Sequence, residues 1–400
     1  MRLDRPPEDP RRVGSPRAPG YVGTKRFQHG ASKMTTASAD LAAKATVIVT
    51  QRERYGMTEE SLESLYAHTP SGARVVVVDA GSPNRVRDLL RAESRRRGFT
   101  LIREERLLTP NQARNVGLAA TETDYIVFVD NDVLYTDGWL EALVRCAEET
   151  GAAVVAPLTC QGLPAHTEIH HAGGTYTANG ASMDTFVADP PEGGREFDEV
   201  MVAHGEKVAD WDGRLHREVT GMCEFHCVLA RRAVFDAIGP LDEGLLSTKE
   251  HIDFSMEVRR AGGEVWFEPE SVVTYVFPCR ARPLNREDWP FFALRWSDTY
   301  GRRSLEHFIR KWNLRTKPTY VEEKAGIYRL RRMQGILIPT MRKVPLAGRS
   351  NRFARVAARA LLAPERLANA AFVARRGTEA GAGAKDAPPR PGSLKTPEAA

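Results

Sequence analysis

Between Thr46 and Asp130 four short apolar runs, rich in β-branched residues, alternate with stretches whose apolar positions recur at helical spacing. The runs are TVIVT (Thr46–Thr50), RVVVVD (Arg74–Asp79), FTLIR (Phe99–Arg103) and YIVFVD (Tyr125–Asp130). Near-continuous apolar runs of this length predict strands buried on both faces. Thr58, followed by Ser61, Leu62, Leu65 and Tyr66, predicts a capped helix to His68, and Thr109-Pro110 predicts a cap and first-turn proline for a helix over Asn111–Ala120. The connections are mostly too long for hairpins, which argues for a doubly wound, mostly parallel α/β sheet flanked by helices. Ligands bind such sheets at the carboxyl ends of the strands. Here those ends carry Thr50-Gln51-Arg52-Glu53, Asp79-Ala80-Gly81-Ser82 and Asp130-Asn131-Asp132.

The sheet pattern continues with a helix near Asp137–Thr150 and a strand at Ala152–Pro157. Irregular sequence follows over 158–220. Order is predicted again at Cys223–Arg231 (strand), Ala233–Ile238 and Lys249–Ala261 (helices), and Glu264–Glu268 and Ser271–Phe277 (strands). An aromatic helical stretch at Trp289–Trp312 is expected to pack back on the sheet. Residues 1–44 and 377–400 lack apolar periodicity and read as a disordered leader and tail. This divides the chain into 1–44, a first half at 45–157, a second half at 158–285, a helical extension at 286–376, and 377–400.

No apolar run approaches the ~18 residues of a membrane span. Five scattered cysteines make no disulfide framework, and a cytoplasmic location suits them. The net charge of +5 conceals an asymmetry. Between Gly326 and Arg376 stand twelve Lys and Arg against one acid, Glu365, so the rest of the chain is net acidic. That excludes a general nucleic-acid surface. In the basic segment Leu330, Met333, Ile336–Ile338, Phe353, Val356, Leu361 and Leu367 interleave with the cations. This fits an amphipathic helix on the inner face of an anionic membrane, or a solvated extension covering the core.

Asp130 and Asp132 follow a buried strand directly. Two carboxylates so placed can turn toward one hard divalent cation, Mn²⁺ or Mg²⁺, which would neutralise a diphosphate. An Asx-rich turn is the plainer alternative. Arg114, in Asn111-Gln112-Ala113-Arg114-Asn115-Val116-Gly117, is suited to a phosphate or to those carboxylates.

VIVTQRER, VVVVDAGSP and NQARNVGLAATETDYIVFVDNDV together resemble the nucleotide-sugar half of a family 2 glycosyltransferase of the GT-A fold. CEFHCVLARRAVFDAIGPLDEGLLSTKEHIDFSMEVRRAGGEVWFEPESVV resembles the acceptor half. The resemblance covers about residues 45–280. It implies transfer of a sugar from a nucleotide-diphosphate donor to an acceptor hydroxyl, usually with inversion, the acceptor being a saccharide or a lipid-linked one. It implies donor binding by Thr50, Glu53, Asp79, Arg114 and Asn131 and metal binding by Asp130 and Asp132. Asp79 can accept from a uracil or guanine N–H.

One departure stands out. The family's acidic pair, whose Asp is the usual general base, reads Glu250-His251 here, with Asp253 beyond. A histidine can accept the proton at neutral pH. The alternatives are Glu250 or Asp253 as base, simple helix-terminal charges, or a site that has lost its base. The histidine that often follows the last strand as an extra metal ligand is also missing, since VVTYVFP places Tyr275 there.

Cys223-Glu224-Phe225-His226-Cys227 lacks a second pair at zinc-finger spacing and reads as a strand with buried cysteines, Glu224 and His226 lining the acceptor pocket. The aromatics of Trp289–Tyr300 read as core rather than as a sugar-stacking platform. Two rival functions are a non-catalytic carbohydrate- or partner-binding module of this fold and a nucleotidyltransferase. The latter favours a glycine-rich phosphate loop after the first strand, whereas here no glycine comes before Gly56.

Overall fold

After helix α1 (Thr36–Ala43), the four apolar runs form β1 (Ala45–Thr50), β2 (Arg74–Ala80), β3 (Thr100–Glu104) and β4 (Tyr125–Asp130). All four are parallel, in the order β3-β2-β1-β4, with α2 (Thr58–His68), α3 (Asn84–Arg97) and α4 (Pro110–Ala119) as crossovers. The structure is a computed structural model and describes residues 36–178, 195–277, 284–345 and 350–376. The expected segments 1–35 and 377–400, and Cys279, lie outside the described residues; Thr36–Ala43, expected within the leader, is helical.

The alternation of side chains along each strand builds two cores. Val47, Val49, Val127 and Val129 face one layer with Leu62, Leu65 and Leu143, while Ile48, Val78, Ile126 and Phe128 face the other with Ala113, Phe225 and Phe235. Burying each such aliphatic chain contributes about 1.5–3 kcal/mol. At Gly117 a Cβ would stand 2.3 Å from Ile48 Cγ2, so only glycine lets α4 lie this close to β1. The expected Thr109 start of α4 is present, with the Thr109 backbone N–H donating to Gln112 Oε1 at 3.0 Å. Thr58 differs: it opens α2 but its hydroxyl donates to Gln51 Oε1 (2.7 Å) instead of capping the helix.

The chain continues through β5 (Val133–Tyr135), α5 (Trp139–Thr150), β6 (Val154–Gln161), β7 (Ile169–His171), β8 (Gly174–Ala178) and β9 (Arg195–Met201). Then come β10 (Glu218–Thr220), β11 (Cys227–Arg231), α6 (Arg232–Ile238), α7 (Glu250–Arg260) and β12 (Val265–Tyr275). The described strands give a ten-stranded mixed, mostly parallel sheet of order β10-β12-β6-β11-β4-β1-β2-β3, with β5 on β12 and β7 on β6. β11 enters antiparallel between β4 and β6. Its chain arrives from a loop at the carboxyl edge of β4 and can only run back. The Cys223–Arg231 strand therefore begins only at Cys227, and residues 223–226 form a loop over the end of β4. The two strands expected at 264–277 are one, with an irregularity between Glu268 and Val272.

The helical extension comprises α8 (Trp289–Arg295), α9 (Asp298–Lys311), a short β13 (Leu314–Arg315), α10 (Tyr320–Arg332), a π-helical turn at Met333–Leu337, α11 (Ile338–Met341), α12 (Asn351–Ala360) and α13 (Leu362–Arg376). β13 completes a three-stranded sheet with β9 and β8. Phe291, Phe292 and Tyr300 are buried, so this aromatic stretch packs as core. Among the described residues no helix is long and apolar enough to cross a membrane.

Candidate active site

The parallel pairing of β1 with β4 sets Thr50 opposite Asp130 and so brings two strand-end loops together. Arg52 Nη2 lies 2.9 Å from Asp130 Oδ2. Asn131 locks the same junction, accepting from the Arg52 backbone N–H (3.0 Å) and donating to the Arg54 carbonyl (3.0 Å). Both of its side-chain ends are thus spent on the β1 loop rather than on a donor. Thr50 is likewise turned inward, its hydroxyl toward the Val129 carbonyl at 3.4 Å.

Asp130 and Asp132 are buried, and His226 joins them from the loop before β11. Its Nδ1 is 2.8 Å from Asp130 Oδ2, and ligand atoms of the three side chains lie within 4.8 Å of one another. Burial by itself would raise the Asp130 carboxyl, but Arg52, His226 and Arg114 outweigh it and hold it below the usual carboxylate range. Asp132 is pushed the other way, by burial and by the Asp130 charge. Its Oδ1 and that of Asp130 are buried with no hydrogen-bond partner among the described residues. Two orphaned carboxylate oxygens beside an imidazole suit a divalent cation. His226, expected to line the acceptor pocket, is held at the acidic pair by its hydrogen bond to Asp130. His226 also stacks on Tyr275, with ring centroids 3.8 Å apart and planes 11° from parallel. An imidazole from another segment thus covers the tyrosine that stands in place of the missing strand-end histidine.

Arg114 is brought alongside by α4. It stacks on Phe225 (4.0 Å), donates to Asn111 Oδ1 (3.1 Å) and has Nη2 3.7 Å from Asp130 Oδ1. Burial lowers its pKa to about 10, which leaves it a cation at neutral pH. Its Nε and Nη2 have no hydrogen-bond partner among the described residues, so donors remain for an anion.

Asp79 is the penultimate residue of β2, buried, and its carboxylate is held by Arg103 Nη1 (2.7 Å) and the Ser82 backbone N–H (3.2 Å). Glu53 accepts from Arg295 Nη1 (2.7 Å) and Trp296 Nε1 (2.6 Å), so its place at the β1 end is tied to α8. Glu250 faces the same guanidinium, with Arg295 Nη2 at 3.9 Å.

Lys249, a non-glycine residue at φ +68°, turns the chain into α7 and sets Glu250 and His251 in its first turn. His251 Nε2 lies 3.3 Å from Glu224 Oε1. Burial would raise Glu224, yet His251, His226, His170 and His171 hold it down to about 2, so it stays a carboxylate. Asp253 is not with this pair, which corrects its place among the candidate bases. Its carboxylate is bound by Lys311 Nζ (2.7 Å) and Trp312 Nε1 (2.8 Å), and the same buried Lys311 reaches Asp242 (2.9 Å) and Glu257 (3.0 Å). It ties α7 to α9.

Sequence reasoning missed Arg52, Arg295 and Lys311 as partners of the acids. The signal available was a cation near each acid in the strand-end loop and on the aromatic helices, but the pairings span up to 242 residues.

The fold and the site define an α/β protein with an acidic, metal-competent centre at the carboxyl ends of its central strands. Residues 46–189 match the family model described as glycosyl transferase family 2, the same family the motifs resemble. The chain is 25% identical over 206 residues to the pre-mycofactocin glycosyltransferase of Mycobacterium tuberculosis (strain CDC 1551 / Oshkosh), which covers 51% of this chain and 37% of that protein. It is 25% identical over 245 residues to the succinoglycan biosynthesis protein ExoA of Rhizobium meliloti (strain 1021), covering 60% of this chain and 63% of that one. The chain thus spans less than two thirds of the length of either relative. A solved structure of GalNAc-T7 with UDP, GalNAc and Mn²⁺ superposes with a TM-score of 0.46 at 15% identity, over 76% of this chain and 58% of that one.

Proposed function

We propose that this protein is a metal-assisted glycosyltransferase that moves a sugar from a nucleoside-diphosphate donor to an acceptor hydroxyl of a saccharide, with inversion. The observation that carries the reading is the convergence of Asp130, Asp132 and His226 beside the free donors of Arg114, at the strand ends where such folds bind ligands.

Asp130, Asp132 and His226 would hold the ion, and an imidazole beside two carboxylates favours Mn²⁺ over Mg²⁺. When bound, such an ion stabilises the charge developing on the departing diphosphate. Arg114 donates to the same diphosphate from a water-poor site, where a fixed cation acts strongly. The Asp79 loop receives the base, with Arg103 holding that carboxylate in place.

His251 is the general base. Its Nε2 faces the Glu224 carboxylate, which holds the ring and stabilises the imidazolium, leaving Nδ1 for the acceptor proton. The acceptor oxygen forms its bond to the anomeric carbon as the carbon–oxygen bond to the diphosphate breaks. The acceptor proton passes to His251 and the nucleoside diphosphate leaves.

The test is thermal unfolding of the purified chain with UDP, GDP, TDP and CDP, each with and without Mn²⁺. A nucleotide at 100 times its Kd stabilises by about 2.7 kcal/mol. One nucleotide giving a metal-dependent shift, lost in Asp132→Ala, is the expected result. No shift with any of them overturns the reading. Carbohydrate binding without turnover, unaltered by Asp132→Ala, would instead identify a binding module.

A further inference from the structure

Among the described residues ten large apolar side chains are exposed, and seven of them fall between Ile327 and Leu367. This is the same stretch that carries twelve cations and one acid between Gly326 and Arg376. The coincidence is sharpest on α12. At about 100° per residue, Phe353, Val356 and Ala360 share one stripe of that helix, and Arg352, Arg355 and Arg359 share the stripe beside it. Ala354 and Ala358 are the buried residues of the helix and form its inner face. Phe353 is 60% exposed and Val356 59%. Leu361, directly after the helix, is 38% exposed, and Leu367 on α13 is 75% exposed. Ser350 caps the helix, accepting from the Phe353 backbone N–H at 3.2 Å. α13 is anchored to the body by Val373 in a cluster with Leu246, Leu294 and Tyr300, and by Asn369 donating to the Ala293 carbonyl (2.8 Å).

From this juxtaposition we infer that α12 and the start of α13 form a docking surface for an anionic lipid bilayer, with Phe353, Val356, Leu361 and Leu367 entering the acyl boundary and Arg352, Arg355 and Arg359 on the headgroups. The apolar stripe is what selects a membrane over a nucleic acid. Bare phenylalanine, valine and leucine gain from hydrocarbon and nothing from a phosphate backbone, whereas arginines flanking such a stripe snorkel to lipid headgroups. Charge complementarity requires the lipid to be anionic. None of these residues belongs to the Asp130–Asp132–His226 cluster or the His251–Glu224 pair, so the inference holds whether or not the proposed activity does. With a lipid-linked acceptor it would confine the enzyme to the plane in which that acceptor diffuses.

The experiment is co-sedimentation of the full chain with vesicles of phosphatidylcholine alone or mixed with phosphatidylglycerol, at low and high salt. Binding is expected to the mixed vesicles only and to weaken with salt. Each Arg→Gln change at 352, 355 or 359 lowers partitioning about fivefold, and all three together about 100-fold. The double variant Phe353→Ser, Val356→Ser loses binding at both salt concentrations. Both variants alter exposed side chains, and their melting temperature and nucleotide-induced shift are expected to match the parent chain. Asp132→Ala keeps vesicle binding, which separates this surface from the catalytic reading. Equal binding to both vesicle types, no binding, or binding unaffected in either folded variant overturns the inference. So does a dimer that the serine variant converts to monomer with no vesicle binding, since that face would then belong to a second copy of the chain.

Discussion

His226 Nδ1 lies 2.8 Å from Asp130 Oδ2, while the His226 carbonyl accepts the Asp130 backbone N–H at 3.2 Å. Side chain and backbone both clamp the loop before β11 to the end of β4, so imidazole and carboxylate are positioned as one unit. His226→Ala should therefore lower Mn²⁺ affinity about 10–100-fold. Isothermal titration of Mn²⁺ checks this, and an unchanged affinity would remove His226 from the ligand set.

Asp132→Asn is expected to abolish the metal-dependent nucleotide shift and to reduce turnover by about 10² or more. Its Oδ1 bonds to nothing among the described residues, so the fold should survive the change. Loss of melting temperature without ligand, of the size seen for core variants, would show a structural role instead.

His251→Ala should cut kcat by about 10²–10⁴ while leaving nucleotide binding intact, and Glu224→Gln should cut it less. His251→Asp, which places a carboxylate at the position, should recover part of the loss. Steady-state kinetics with saturating donor decide the matter; a His251→Ala enzyme with parental kcat moves the base elsewhere.

Lys311 is buried among Asp242, Asp253 and Glu257 and is a cation shared by all three, while Asp242 also meets His307 and Glu257 also meets Arg260. Lys311→Met should destabilise the fold by about 3–5 kcal/mol, because three buried carboxylates lose the cation they share. Urea unfolding measures it. Asp253→Asn should also cost stability yet spare the nucleotide shift, which separates its packing role from the catalytic one.

His171 is fully buried, and burial lowers its pKa from the ordinary 6.5 to about 4. The unfolded chain takes up that proton first as pH falls, so the unfolded state binds more protons between about 6.5 and 4. The stability this group contributes is complete above pH 6.5 and is lost on the way down to pH 4, about 3 kcal/mol in all. His171→Phe should flatten that part of the stability–pH curve measured by chemical unfolding. A curve as steep as the parent's assigns the slope to other groups.

The elements of the first half were legible because each carries its own local signal. TVIVT and YIVFVD have no face that tolerates water, and Thr109-Pro110 encodes a helix start whatever surrounds it. The acidic pair at Asp130 and Asp132 was legible for the same reason, standing at the end of a strand that announces itself. The β11 region was not. CEFHCVLAR alternates like one strand, but pairing begins only at Cys227, where β4 and β6 offer edges, and the four residues before it cap the β4 end.

Local chemistry in the chain thus determined which segments are strands and helices, that polar residues collect at the strand ends, and that two carboxylates stand together directly after the Tyr125–Asp130 strand. Only the tertiary structure decided which partner each charged residue has. It assigned His226 to the metal-competent pair, Glu224 to His251, Asp253 to Lys311 and Glu53 to Arg295. The reason is physical: a buried charge must find a counter-charge within a few ångströms, and contact at that range is set by which elements pack together. Glu53 and Arg295 stand 242 residues apart in the chain and 2.7 Å apart in the fold.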